Sequence, residues 1–414
     1  MTGTSHANRE CKIVFFLDAV RYDYLNPRDT PFMYKMAKKG ISGPLSTILG
    51  FDGIAATIFT GTYPDVHGVW TQHILARCNS PYDWFGPYSF LPEVIDRKIR
   101  GTSFAEKAFR YLILRASLFR SRMTFCPGVN KVPFSNLSKF DFAMKRLLYE
   151  ENAFGSIPTL FDMLRKNGIT FSIADHSIFG SDQNVVKKIL KMRRSSEVVY
   201  VRLMDLDETI HSHGVYSLER LRGLKNLDNA VHFIVSCLEH DGSDPSVVLF
   251  ADHGMMDVTR YVDVITQVRR SGLVEGKDFD VFLDSTMARF WAESSILTKI
   301  TEILSNLGFG RILTNFDLER YHAPKLQCYG DLIYLADPGV VILPNYYQGY
   351  DKIKGMHGYD PFTSEMNTIF IIYHKGIKHG RIYNAKIIDI LPTILDMLEI
   401  PKPQHCLGSS KLCY

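Results

Sequence analysis

The sequence predicts an α/β fold: a mainly parallel central sheet with helices on both faces, carrying a smaller α+β cap and a helical, aromatic insertion. Three observations predict it. Short, wholly apolar runs recur along the chain (IVFFL at 13–17, VVYVRLM at 198–204, VVLFA at 247–251), as expected for parallel strands covered on both faces. Helical segments alternate with them, as βα repetition requires. Each of the three runs also ends at a carboxylate: Asp18, the Asp205-Leu206-Asp207 triplet, and Asp252.

The elements follow in order. Ile13–Leu17 reads as a buried strand. A helix is expected over Thr30–Lys39, stopped by Gly40. Residues 54–61 read as a buried helix, followed by a turn at Tyr63–Gly68. Residues 78–155 change character. An aromatic stretch, with Tyr82, Trp84, Phe85, Tyr88 and Phe90, precedes helical stretches at Phe104–Arg122 and Phe140–Tyr149. This insertion is expected either to cover the site or to extend the core. The α/β pattern resumes with a helix at Thr159–Lys166, closed by Asn167-Gly168, and a strand at Ile169–Ala174. A helix at Asn184–Arg194, the strand Val198–Met204, a long helix at Leu221–His240 and the strand Val247–Ala251 complete it. Residues 258–345 read as a cap lobe, with strands at Val281–Leu283 and Ala288–Trp291 around a helix at Ser295–Leu307. The core returns with a Gly355–Pro361 loop, the strand Thr368–Tyr373 and the helix Ile387–Leu398. The expected organisation is therefore a core of 1–77, 156–257 and 346–414, an insertion of 78–155 and a cap of 258–345.

Bulk properties narrow the function. In 414 residues the net charge is only +4, which disfavours a general nucleic-acid binder but allows a local positive site for an anion. Seven cysteines, an odd number at wide spacing and without a CxxC pair, argue against a disulfide framework or a thiolate zinc site. With no apolar signal core at the start and no run long enough to span a bilayer, the expectation is a cytoplasmic chain without a membrane span.

The chemistry gathers at the strand ends. In open parallel sheets, ligands bind beyond the carboxyl ends of the strands. Three acids brought to one such edge repel one another unless cations neutralise them. Histidines accompany them: His211 lies four residues after Asp207, His253 adjoins Asp252, and His357 sits between Gly355 and Gly358. Carboxylate oxygen with imidazole nitrogen suits zinc, manganese or iron.

The segments FFLDAVRYDYL (15–25), TIFTGTYPDVHGV (57–69), LMDLDETIHSHG (203–214), FADHGM (250–255), KGMHGYDP (354–361) and DILPTILDMLEIP (389–401) resemble, in this order, the alkaline phosphatase superfamily and especially its nucleotide pyrophosphatase/phosphodiesterase branch. The resemblance implies an alkaline phosphatase-like core and two divalent metal ions, most characteristically zinc. Asp207, His211 and His357 would hold one ion, and Asp18, Asp252 and His253 the other. It implies a metal-dependent phosphoric ester hydrolase acting on a small-molecule phosphodiester, pyrophosphate or phosphomonoester, with a nucleotide or lipid-like substrate. A phosphonate hydrolase or phosphotransferase of the same fold is the alternative.

One position departs from the family pattern. A Ser or Thr nucleophile is expected just before the helix that ends in Thr60-Gly61. Counted without gaps the slot falls on Phe51, with Asp52 next. Asp52 is the candidate catalytic residue: a seventh metal ligand beside an attacking water, or itself a covalent nucleophile, or only a helix N-cap. A shifted register would instead bring in Ser46 or Thr47. The altered slot also allows a non-hydrolytic, anion-binding member. Asp205, His213, Asp360, Arg21, His67 and the Asp284-Ser285-Thr286 segment are further candidates for supporting or turn roles.

Overall fold

The computed structural model describes residues 10–51, 53–76, 80–88, 103–121, 123–124, 131–192 and 196–412, with side chains in the Ser103–Ser121 helix described from residue 108 onward. Asp52 and Phe90 therefore lie outside the described residues.

The central sheet has eight strands. Its main path runs Gly380–Arg381, Ile41–Ser46, Thr368–Tyr373, Asp244–Ala251, Glu10–Leu17, Val198–Leu203, Phe171–Asp175, and Ala385–Lys386 also pairs with Ile41–Ser46. The apolar strand Glu10–Leu17 lies parallel between Val198–Leu203 and Asp244–Ala251, so Leu17 faces Leu203 on one side and Ala251 on the other. That register places the three strand-end acids side by side. Thr368–Tyr373 runs antiparallel to both of its neighbours. Apolar cores cover both faces, one built on Phe15, Leu17 and the long Leu218–His240 helix, the other on Phe16, Phe59 and the Ile390–Met397 helix.

Ile41–Ser46 (ISGPLS) was not expected as a strand, because Gly and Pro interrupt it. The structure accommodates Pro44 by a break in the outer partner. Gly380–Arg381 pairs with Ile41 and Ser42, Ala385–Lys386 with Leu45 and Ser46, and positions 43 and 44 are skipped. Tyr63–Gly68, expected as a turn, contains a one-turn helix at Pro64–His67, ended by Gly68 in the left-handed region.

The helix expected at Phe140–Tyr149 does not form. Phe140–Phe142 is a strand, antiparallel to His73–Leu75, and turns and bends follow it. Phe140 and Phe142 are both buried, and Asp141 accepts from its neighbour Phe142 N–H at 2.7 Å and pairs with Lys145. Pairing with a distant segment decided this piece against its local helical tendency.

The insertion and the cap share one apolar core. Tyr82, Phe85, Phe134 and Phe140 pack in the same cluster as Val281, Phe290 and Trp291. Tyr82 is 1% and Phe85 3% exposed, so neither offers a free ring face for stacking a substrate. Among the described cysteines, Cys11, Cys237, Cys328 and Cys406, no disulfide forms. No described helix is long and apolar enough to cross a membrane.

His73 sits in this shared core, stacked on Phe282 at 4.7 Å, with neither ring nitrogen hydrogen-bonded. Burial, with the nearby Arg289 charge, pushes its pKa down to about 3. The unfolded chain therefore binds a proton between about pH 6.5 and 3 that the folded chain refuses. Stability from this residue is complete above pH 6.5 and is lost as pH falls, by about 2 kcal/mol at pH 5. Urea unfolding at pH 7 and pH 5 is expected to show this loss in the native protein and a smaller one in His73→Phe.

Candidate metal centre

Each candidate ligand is placed by a local device. Asp18 is the first residue after Glu10–Leu17, and its N–H donates to Leu203 O at 3.0 Å. Ala19 then adopts φ 59°, an uncommon conformation for a residue with a side chain, and donates its N–H to Asp252 Oδ1 at 3.3 Å. Asp207 and His211 lie one turn apart on the helix Asp205–His213, with His211 Nε2 3.3 Å from Asp207 Oδ2. His211 is oriented by Gly355 O, 2.8 Å from Nδ1. A proton on Nδ1 for that bond leaves Nε2 as the ligand atom.

His357 reaches the group through a short antiparallel pairing. Gly355 and Met356 pair with Asp257 and Met256, which ties the His357 loop to the turn carrying Asp252 and His253. Two glycines permit the approach. A Cβ on Gly254 would lie 1.8 Å from Glu365 O, and Gly358 has φ 80° with the Phe51 ring 2.6 Å from where a Cβ would stand.

All six residues form one cluster. Asp18, Asp252 and His253 offer ligand atoms within 4.8 Å of one another, and so do Asp207, His253 and His357. The His253 and His357 rings stack at 3.6 Å, and His211 and His357 lie 5.2 Å apart. His253 thus stands between the two groups, and His211, which the resemblance assigns beside Asp207 and His357, lies next to both.

Burial and neighbouring charges act strongly on the ionisable groups of the cluster. Burial, and then the charge of Asp18, raises the Asp252 carboxyl to about 7. Burial works against protonation of His253, but Asp252 and Asp18 together lift it to about 10. Burial also opposes ionisation of Asp18, whose carboxyl is nonetheless held below its usual value by the hydrogen bond and charge of His253. His357 is driven well down by burial and by the charges of His253 and His211. The carboxylates of this cluster thus favour positive charge among them. Asp207 Oδ1 and His357 Nδ1 are buried without any hydrogen-bond partner. Orphaned acceptors among oxygen and imidazole donors fit a divalent ion.

The remaining candidates separate clearly. The Phe51 ring is edge-on to His357 at 5.3 Å and lies 6.1 Å from Tyr347, which puts an apolar ring beside the cluster. Ser46 and Thr47 line a different cleft, whose walls contain none of the six residues. The Thr57 hydroxyl is committed to Gly53 O at 2.7 Å and His67 Nε2 at 2.9 Å, and His67 Nδ1 accepts from Val69 N–H, so His67 holds its turn. Arg21 pairs with Asp23 at 2.7 Å and donates to Met255 O. Asp205 contacts His176 at 3.2 Å, and Asp360 accepts from Tyr321 Oη and Phe362 N–H. His213 is exposed in a groove with Glu208 and Phe233. Asp284 is fully buried against Arg289, and Thr286 donates to Gly358 O at 2.8 Å, tying the cap to the His357 loop.

Arg202 was missed. Its guanidinium lies over the Phe16 ring at 4.6 Å and 3.4 Å from Asp18 Oδ2. Burial disfavours its charge, yet Asp18 and Asp175 hold it more firmly protonated than usual. The signal was available: one arginine inside an otherwise apolar strand.

The sequence pattern of the family described as type I phosphodiesterase / nucleotide pyrophosphatase matches residues 12–360. The chain belongs to this family. Two relatives, ectonucleotide pyrophosphatase/phosphodiesterase family member 1 of Rattus norvegicus and of Mus musculus, are each 25% identical over 215 residues, 49% of this chain. The match spans only 24% of the length of either relative. The human ectonucleotide pyrophosphatase/phosphodiesterase 5 structure shares the fold, with a TM-score of 0.70 at 16% identity, covering 96% of this chain and 97% of that one. The murine enzyme, solved as an inactive variant in complex with AMP, gives 0.69 at 15% identity over 97% of both chains. The matched stretch includes Asp18, Asp207, His211, Asp252, His253 and His357.

Proposed function

We propose that this chain hydrolyses a phosphodiester or pyrophosphate bond in a small-molecule phosphate ester, using two divalent ions, zinc first, held by Asp18, Asp207, His211, Asp252, His253 and His357. The observation that carries this reading is the cluster itself, with orphaned ligand atoms on Asp207 and His357 among its carboxylates and imidazoles. Such ions, when bound, neutralise charge developing on the phosphoryl oxygens and acidify the attacking water. The chain's own part is to orient the imidazoles through Gly355 O and the glycine turns, and to keep Phe51 where a hydroxyl nucleophile would stand. Water is then the attacking group, and Asp52, next to Phe51 in the sequence, is the residue we propose as catalytic. In keeping with the cysteine pattern, we place the chain in the cytoplasm.

The test is turnover of bis(p-nitrophenyl) phosphate by chelator-treated protein resupplied with zinc or manganese. Metal-restored turnover that persists in Asp52→Asn supports attack by water without covalent help from Asp52. Metal binding without turnover of diester, pyrophosphate or monoester sinks the hydrolase reading. The Phe51 ring in the slot favours one second reading, an anion-binding member without turnover. Inert native protein that gains turnover as Phe51→Thr would establish it.

Because His253 holds a proton up to about pH 10 and must lose it to bind an ion, zinc affinity is expected to rise roughly tenfold per pH unit between pH 7 and 9. Competition with a fluorescent chelator measures it, and a flat profile contradicts the assignment of His253.

A further inference from the structure

Outside the metal cluster, a cleft of about 360 Å³ opens where the carboxyl end of Ile41–Ser46 meets the Asn315–Arg320 helix of the cap. We infer that this cleft is a second anion site, built for a phosphate group. Its walls include three basic side chains, Arg320, Lys386 and His322, and no carboxylate among the described residues. The Arg320 guanidinium lies over the Phe362 ring at 4.0 Å, and among the described residues neither it nor Lys386 forms an ion pair. Two nearby cations are paired instead, Arg311 with Asp317 at 2.8 Å and Lys411 with Asp389 at 3.0 Å.

Two further features belong to the same cleft. The Thr47 hydroxyl in its wall is without a hydrogen-bond partner. His322 is stacked face to face on Tyr63 at 3.7 Å, and its Nδ1 is 3.4 Å from Asp65, a residue outside the wall. Two unpaired cations at a largely apolar cleft attract an anion, and an arginine presents the planar fork that matches phosphate oxygens. The volume lies at the lower end of the range for small-ligand sites, about 300–1,000 Å³. The rings of Tyr63 and Phe362 offer apolar surface to a group esterified to that phosphate. None of the six candidate metal ligands takes part, so the inference stands apart from the proposed hydrolysis.

The test uses the full chain after chelator treatment, so that the metal cluster contributes no bound ion. Calorimetric titration with inorganic phosphate and with phenyl phosphate is expected to show one site. The double variant Arg320→Gln/Lys386→Gln, both exposed positions, is expected to bind at least roughly tenfold more weakly with an unchanged unfolding midpoint. Lys35→Gln/Lys39→Gln, which removes the same charge from another exposed surface, is expected to bind like the native chain. Tighter binding of phenyl phosphate identifies a phosphomonoester as the ligand, and equal binding identifies free phosphate. No binding up to about 10 mM, or equal weakening in both double variants, overturns the inference.

Discussion

Replacing Asp207 by Ala, or Asp18 by Asn, is expected to lower turnover of a phosphate diester by about 10³-fold or more. The estimate follows from the several kcal/mol that a properly held ion contributes at a developing phosphoryl charge, about 4 kcal/mol being a thousandfold. Asp207 is the sharper test. Its Oδ1 has no hydrogen-bond partner, and its Oδ2 meets only the His211 ring, at 3.3 Å, so Ala removes a ligand with little other loss. In the chelator-treated chain the same change removes one carboxylate from a crowded anionic cluster, and the unfolding temperature is expected to hold or rise. Asp18→Asn differs, because Asp18 accepts from Arg202 and lies 3.2 Å from His253 Nε2. It is expected to weaken the fold as well as the activity. Metal content, unfolding temperature and kcat/KM measured on the same samples separate the two effects. Near-native kcat/KM in Asp207→Ala would exclude that residue as a ligand to a required ion.

Arg289→Leu is expected to cost about 3–5 kcal/mol of stability, the range for leaving one partner of a buried ion pair uncompensated. Arg289 and Asp284 are both fully buried and meet at 2.7 Å. Arg289 also donates to His73 O at 2.8 Å, and Tyr347 Oη lies 3.4 Å from Asp284. Removing the guanidinium strands the carboxylate, whose ionisation burial already disfavours. Asp284→Leu/Arg289→Met, which removes both charges, is expected to lose much less. Urea unfolding distinguishes them, and a loss under about 1 kcal/mol in Arg289→Leu contradicts the argument. Activity is expected to fall with stability, because Thr286, between the pair's two residues, holds Gly358 O, and Tyr347 packs near Phe51.

Much of the site was legible because its signals are local. An acid directly after an apolar run marks the carboxyl end of a strand, and Asp207 with His211 marks one face of one helical turn. Both readings need only the geometry of a single element. Arg202 was legible in principle but passed over, since one charge in a strand reads as an exception until its partner Asp18 is seen on the adjacent strand. The aromatic run from Tyr82 to Phe85 invited a substrate-facing role. It is buried because its partners, Val281 and Phe290, come from some two hundred residues further along.

By itself the sequence determined the α/β core and pointed to the six acids and histidines that the fold brings together. Those are matters of residue identity and short-range periodicity. Only the tertiary structure decided that Thr368–Tyr373 runs antiparallel, that Ile41–Ser46 is a strand despite Pro44, and that Phe140–Phe142 is one too. Strand direction and pairing depend on what lies alongside, and an apolar run reads the same either way. Tertiary structure alone also placed His253 between the two groups of ligand atoms and turned Phe51 toward His357. Those contacts join segments that are distant in sequence, Phe51 and His357 most of all, and only the packed sheet edge fixes the distances between them.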